Sequence, residues 1–213
     1  MSVKITIADY GVGNLLSVRA AFEYCGADCD VTDDPAVIAR ADRLLLPGVG
    51  AFGDAMADMR TKGLVEPVRR FSETGRPLLG ICVGMQMLMD RSEEFGDHEG
   101  LGLIPGPVVA IPPTAADGTA HRLPHVGWNI LEASRAGSWT GTLLGDTPEG
   151  GWVYFVHSFT AMPDNPLHRL ADCNYNGRRI SAVIRRDNVM GCQFHPERSG
   201  ETGLTVIRRF LKL

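Results

Sequence analysis

The sequence predicts an α/β fold: an open, mostly parallel sheet with helices on both faces and a partly antiparallel extension. Three observations lead there. In the first half, "VKITIA", "DRLLLPG" and "PLLGIC" are continuous apolar runs rather than alternating ones, as expected of parallel strands covered on both sides. Helix-like stretches separate them, the alternation that marks parallel βαβ units. In the second half, strand-like stretches follow one another with few helices between. A length of 213 residues with 44% hydrophobic content fits one domain, taken as 1–213.

Taken in order, the first strand covers 3–8, and a glycine turn leads to a helix from about Asn14. Leu15, Val18, Phe22 and Cys25 fall on one face at helical spacing, and Gly26 suits the C-terminal cap. "CDVTD" reads as a second strand, followed by a short helix near Pro35 and a third strand at 42–48. Helical patterns cover 52–59 and 64–74. The fourth strand, 77–82, runs into a helix-like pattern from Val83 to Asp90. "GPVVAI", "PHVGWNIL", "GWVYFVHSF", "LADCNY", "RRISAVIRR" and "VMGCQF" read as strands, and "GLTVIRRFLKL" as a closing helix. The segment 112–118 is expected to be the mobile loop.

Composition excludes several classes. The formal net charge is −4 and no basic run stands out, which argues against nucleic acid as a partner. No apolar run approaches the length of a membrane span, and the N-terminus is too short and polar for a signal peptide. Five cysteines, at irregular spacing and without a Cys-x-x-Cys pair, predict free thiols in a cytoplasmic protein.

One of these cysteines is placed unlike the rest. "GICVG" sets Cys82 between Gly80 and Gly84, where a strand turns into a helix. That is the form of a nucleophile elbow, in which the residue is held in a strained conformation and its side chain stands above the sheet edge. Helix-start amides favour the thiolate, and the Val83 N–H points at a developing oxyanion. The pattern alone fits an ordinary turn equally well. "CQFHPERSG" supplies what the turn lacks: His195 follows a strand and Glu197 stands two positions on. An extended segment puts both side chains on one side, so Glu197 orients His195 and His195 serves as the base.

Other motifs carry less. "LLLPGVGAFGDAM" follows a strand end on the same sheet edge, where its amides can offer a second oxyanion contact. "DYGVGNLLSV" suggests a dinucleotide turn, but Leu16 occupies the third glycine's place, so a tight turn and no cofactor is the reading. His121 and His125 have a spacing found in zinc sites, yet Pro124 intervenes and no cysteine pair is near; no metal is expected.

Together these pieces resemble the class I, triad-type glutamine amidotransferases over essentially the whole chain. "GICVGMQ" is similar to the family's elbow and "FHPE" to its His–Glu pair. "PGVGAFGDAM", "DYGVGNL", "HVGWN" and "YFVHSF" point within the family to glutaminase subunits of histidine biosynthesis. The resemblance implies that Cys82 attacks the side-chain amide of L-glutamine, with His195 shuttling protons and Glu197 orienting it. It implies oxyanion contacts at Val49 and Val83, and glutamine binding by Gly50, Gln86, His157, Ser158 and Phe159. It also implies a partner: a cyclase subunit built as a (β/α)8 barrel, joined as a heterodimer, that consumes the ammonia. Such a barrel takes about 250 residues, more than this chain can spare. Asn14, Trp128 and Tyr154 are expected at that interface, with core packing the alternative for the two aromatics. A glutaminase for another synthase, a non-catalytic elbow protein and a cysteine peptidase stand as rivals.

Overall fold

The computed structural model describes residues 2–11, 13–134 and 139–213. The chain runs β1 (Val3–Ala8), α1 (Leu15–Tyr24), β2 (Ala27–Thr32), α2 (Pro35–Ala39), β3 (Leu44–Gly48), α3 (Phe52–Thr61), α4 (Val65–Ser72), β4 (Leu78–Cys82) and α5 (Val83–Met87). Then come β5 (Met89–Ser92), β6 (His98–Glu99), β7 (Ile104–Ala110), β8 (His125–Ile130), β9 (Glu132–Ala133), β10 (Trp152–His157) and β11 (Phe159–Ala161). β12 (Arg169–Tyr175), β13 (Arg178–Arg186), β14 (Val189–Cys192) and α6 (Gly200–Lys212) complete it.

Among the described residues the main sheet has the order β2-β1-β3-β4-β14-β13-β12-β9. From β2 through β14 the pairings are parallel; from β14 to β9 they are antiparallel. β3 and β4 are buried along their whole length, as their unbroken apolar runs require. The chain steps outward from β1 to β2, then returns to the other side of β1 to lay down β3. With right-handed crossovers, α1 covers one face and α3 with α4 the other. The packing follows: Phe22 of α1 meets Phe210 of α6 edge-on, with ring centroids 6.2 Å apart. Asp34 caps α2 by accepting from the Ala36 N–H at 2.8 Å, and Asn14 caps α1 by accepting from Ser17 at 3.3 Å.

The structure corrects the second-half strands in part. β7, β8, β10 and β11 do not extend the main sheet. β10 pairs with β8, and β11, β7, β5 and β6 form a small sheet of their own. "GWVYFVHSF" is therefore not one strand; it breaks at Ser158 and changes sheets. The helix-like run to Asp90 also stops early, at Met87. Residues returning from β6 take its carbonyls: Leu101 N–H donates to Met87 O at 2.8 Å, and Leu103 and Ile104 both donate to Leu88 O at 2.9 Å. Those bonds compete with helix continuation, and β5 starts instead. Segment 112–118 is a tethered turn rather than a loose loop. Ala115 N–H donates to Thr119 O at 2.8 Å, and the Arg178 guanidinium holds Thr114 and Ala115.

Candidate functional site

The site lies at the carboxyl ends of β3, β4 and β14, where ligands bind in open α/β sheets. Cys82 ends β4 with φ 54° and ψ −113°, a conformation that costs a non-glycine residue about 1–3 kcal/mol. The surrounding glycines explain why it can be held there. A Cβ on Gly84 would stand 1.8 Å from the Leu46 carbonyl oxygen, and one on Gly80 would stand 2.4 Å from the Gly84 oxygen. Strand β3 and the first turn of α5 thus press together through bare backbone. α5 has only five residues, so it offers the sulfur a smaller dipole than the expected longer helix.

The β3–β4 register sets Gly48 beside Cys82, which brings the Pro47–Gly50 loop next to the elbow. Gly48 tolerates no side chain: its Cβ would lie 2.7 Å from the Tyr10 hydroxyl and 2.8 Å from the Gly84 nitrogen. That hydroxyl donates to the Pro47 carbonyl from a fully buried position. Burial and the neighbouring Cys82 and Asp58 push the Tyr10 phenol far above its usual range, so it stays neutral. The left-handed residue of the loop is Gly50, at φ 93°, while Val49 remains at ordinary φ and is 39% exposed.

His195 follows β14, and its Nδ1 lies 2.8 Å from Glu197 Oε1. The contact is made through a 3₁₀ turn at Pro196–Arg198, not through the extended segment the sequence suggested. Pro196 starts that turn and brings the carboxylate back under the ring. Burial disfavours the charged imidazole, but hydrogen bonding and charge from Cys82 and Glu197 outweigh it and push His195 up to about 10. Nε2, the nitrogen left for the sulfur, is buried and has no partner at ordinary hydrogen-bond geometry among the described residues. Such loose apo contacts tighten when substrate is present.

Strand β10 holds this assembly by its free edge. Tyr154 O accepts from His195 N–H at 3.0 Å, Tyr154 N–H donates to Ser199 Oγ at 2.9 Å, and Val156 O lies 3.9 Å from Cys82 Sγ. Its other edge pairs with β8, setting Val156 opposite Val126, Tyr154 opposite Trp128 and Trp152 opposite Ile130. These six side chains share one face of the ribbon. Trp128 is 52% exposed there, with its ring centroid 6.0 Å from that of Tyr154, so core packing does not account for it.

A cleft of about 150 Å³ opens over Cys82. It is lined by His195, Val49, Gly50 and Val83, and by Gln86, His157, Ser158 and Phe159. The structure therefore gathers in one place residues drawn from four separate motifs. Asn14, Trp128 and Tyr154 lie outside it. So small a volume suits a single amino acid better than a peptide.

Three further residues pack at the cleft: Glu94 and Gln193, which no sequence motif marks, and His125, whose spacing with His121 suggests only a zinc site. Glu94 lines the cleft and accepts from the Phe52 N–H at 2.6 Å, capping α3, whose own cap residue has no suitable side chain. Gln193 is wholly buried beside the sulfur. His125 packs between Phe155 and Tyr175, and its Nδ1 lies 3.1 Å from His157 Nε2. His157 Nδ1 donates to Phe159 O at 2.8 Å, so its Nε2 is the acceptor and His125 the donor. His121 goes elsewhere, to Pro112 O and Asn176.

Burial holds both rings of the pair neutral. It lowers His125 to about 4, aided by His121, and lowers His157 to about 3 against the favourable Phe159 carbonyl. The unfolded chain binds these protons first as pH falls from about 6.5, so the stability tied to neutrality is present above that pH and is lost on acidification toward the folded values. His125→Phe keeps the stacking and removes one titration. Urea melts of this variant should lose less stability than the parent between about pH 6.5 and pH 4. Parallel pH curves for the two proteins would show that the pair does not set the acid limit.

Comparison with known proteins fits this geometry. Residues 6–213 match the model of the family described as glutamine amidotransferase class-I. The Legionella pneumophila (strain Lens) protein "Imidazole glycerol phosphate synthase subunit HisH 1" is 53% identical over 211 residues, covering 99% of both chains. The HisH subunit of Syntrophotalea carbinolica is 47% identical over 207 residues, 97% of this chain and 98% of that one. Two solved structures share the fold. "Structure of PurLQS from Thermotoga maritima" has a TM-score of 0.73 at 20% identity, covering 100% of this chain and 99% of that one. "Crystal structure of glutamine amidotransferase" has a TM-score of 0.71 at 19% identity, covering 98% and 97%. With a family match across nearly the whole chain and relatives this similar from end to end, the chain belongs to the class I glutamine amidotransferases, in the family of HisH subunits.

Proposed function

We propose that this chain hydrolyses L-glutamine to glutamate and ammonia as the glutaminase subunit of imidazole glycerol phosphate synthase. The observation that carries the reading is Cys82 held at positive φ over an amino-acid-sized cleft, with His195 bound to Glu197 at its wall. His195 Nε2 takes the thiol proton while Cys82 attacks the amide carbon. The oxyanion is met by the N–H groups of Val83 and Val49. The C–N bond then breaks, the His195 proton leaves with ammonia, and a glutamyl thioester remains. Water, losing a proton to His195, cleaves that thioester and frees glutamate. Gly50, Gln86, His157, Ser158 and Phe159 shape the glutamine site. No cofactor takes part.

The ammonia passes to a separate cyclase subunit, a (β/α)8 barrel in a cytoplasmic heterodimer, which forms imidazole glycerol phosphate and AICAR. The β8–β10 face, with Trp128 exposed and Tyr154 beside it, supports a protein partner there, and Asn14 is assigned to the same interface. In the unpartnered chain the Val49 N–H is turned away from the oxyanion, because inward rotation demands a φ that a β-branched residue resists. Nucleotide substrate on the cyclase favours the inward form.

Glutamate release tests this. The chain alone, and with the cyclase only, should be slow; cyclase plus its nucleotide substrate should raise the rate by about tenfold or more. Equal rates in all three mixtures would sink the partner and the gated loop together.

A further inference from the structure

A polar side chain other than His195 lies against Cys82. Gln193 Nε2 lies 3.7 Å from the sulfur, and Gln193 has no exposed surface. A glutamine amide presents either an oxygen or an NH₂ group, so which end faces the sulfur decides whether it favours thiol or thiolate.

The neighbours decide it. The Phe159 carbonyl can only accept, and it lies 3.2 Å from Gln86 Nε2. That fixes the Gln86 amide with its NH₂ group toward Phe159. The second hydrogen of the same group donates to Gln193 Oε1 at 3.0 Å. Gln193 therefore has its oxygen occupied, and its NH₂ group is left facing Cys82. The His157 Nδ1 bond to the same Phe159 carbonyl anchors the far end of this chain.

We infer that Gln193 is a catalytic residue for the nucleophile: its amide N–H donates to the Cys82 thiolate, and Gln86 fixes the direction of that donation. This rests on Cys82 as the nucleophile. A donor aimed at sulfur favours the charged form, and in a water-excluded site that preference is amplified. Gln86 thus has a function apart from any contact with glutamine: it keeps the Gln193 amide from turning over. Gln193 and His195 occupy alternate positions just beyond β14, His195 serving as the proton acceptor and Gln193 as a fixed neutral donor to the sulfur. The neutral donor remains available after His195 has given its proton to the leaving ammonia.

The test is the rate at which iodoacetamide alkylates Cys82, followed by peptide mass, in the full-length chain. Gln193→Glu keeps the shape and removes the donor; Gln193→Met does so without adding a carboxyl. Thermal melting establishes that each variant is folded. Near pH 7 both variants should label Cys82 about tenfold more slowly than the parent, and the deficit should close near pH 10, where hydroxide removes the thiol proton unaided. Glutaminase kcat should fall with little change in KM. If the parent labels Cys82 no faster than its other thiols, the nucleophile reading falls and this inference with it. If the parent labels fast and both variants match it, or if the deficit persists near pH 10, Cys82 stands as nucleophile and the Gln193 donor is overturned.

Discussion

Cys82→Ala should leave a folded chain whose glutamine hydrolysis, measured with cyclase and nucleotide substrate present, has fallen by about 10⁴-fold or more. Among the described residues lining the cleft, Ser158 is the other side chain with a hydroxyl or thiol, and an unactivated hydroxyl is a far weaker nucleophile than a thiol. The same variant has a second, independent readout. Burial alone would lower the His195 pKa; its rise to about 10 depends on Cys82 and Glu197. Removing the sulfur removes the first of those supports, so the His195 imidazole should lose its proton at distinctly lower pH, as followed by NMR of the ring. The sign carries over to stability. A histidine with raised pKa stabilises the fold fully below about pH 6.5, and the contribution disappears as pH rises through about 10. The parent should therefore lose more stability than the variant over that alkaline range. An unmoved His195 titration would mean that the two side chains are not partners, whatever the activity assay gives.

Among the glycines described, Gly84→Ala should be the most damaging single-methyl change. The new carbon would be placed 1.8 Å from the Leu46 carbonyl oxygen and 2.8 Å from its carbon. Both belong to the backbone of a buried central strand, so no side-chain rotation relieves the overlap. Overpacking of a core usually costs about 1–3 kcal/mol, and this contact lies at the rigid extreme, with an expected loss of about 3 kcal/mol or more. Urea unfolding measures it. Gly63→Ala is the matched control: nothing lies within 4 Å of its Cβ, and only its φ of 67° opposes the change, for about 1 kcal/mol. Similar losses in both variants would mean that β3 and α5 separate easily, and that the elbow is not held by their contact.

The parallel half of the sheet was legible because its strands are buried on both faces, and Leu44 to Leu46 and Leu78 to Ile81 can hardly be read otherwise. The placing of Cys82 at the strand–helix turn and of Glu197 against His195 was legible because that geometry is local: a glycine-flanked turn and a two-residue spacing fix most of it. Even there the path differed, since Pro196 closes a 3₁₀ turn where an extended segment was expected. What was not legible depends on distant chain. The apolar run after Val83 is compatible with helix or strand, and residues 101–104 decide between them by capturing its carbonyls. Two-residue strands such as His98–Glu99 have no periodicity to detect. Gln193 looks like any polar residue near a strand end until Gln86 and Phe159, brought from two other motifs, turn its amide toward the sulfur.

Strand β10 has one more property. Tyr154 sets its half-buried ring on the ribbon's apolar face and, through its own peptide groups, grips the His195 main chain and the Ser199 hydroxyl. Val156 does likewise, with its side chain outside and its carbonyl over the Cys82 sulfur. The lever between an outside load and the Cys82–His195 pair is thus a single residue long. A force applied to either side chain needs no relay of intermediate contacts, and a tilt of the ribbon by a few degrees would reset the gap between sulfur and imidazole directly.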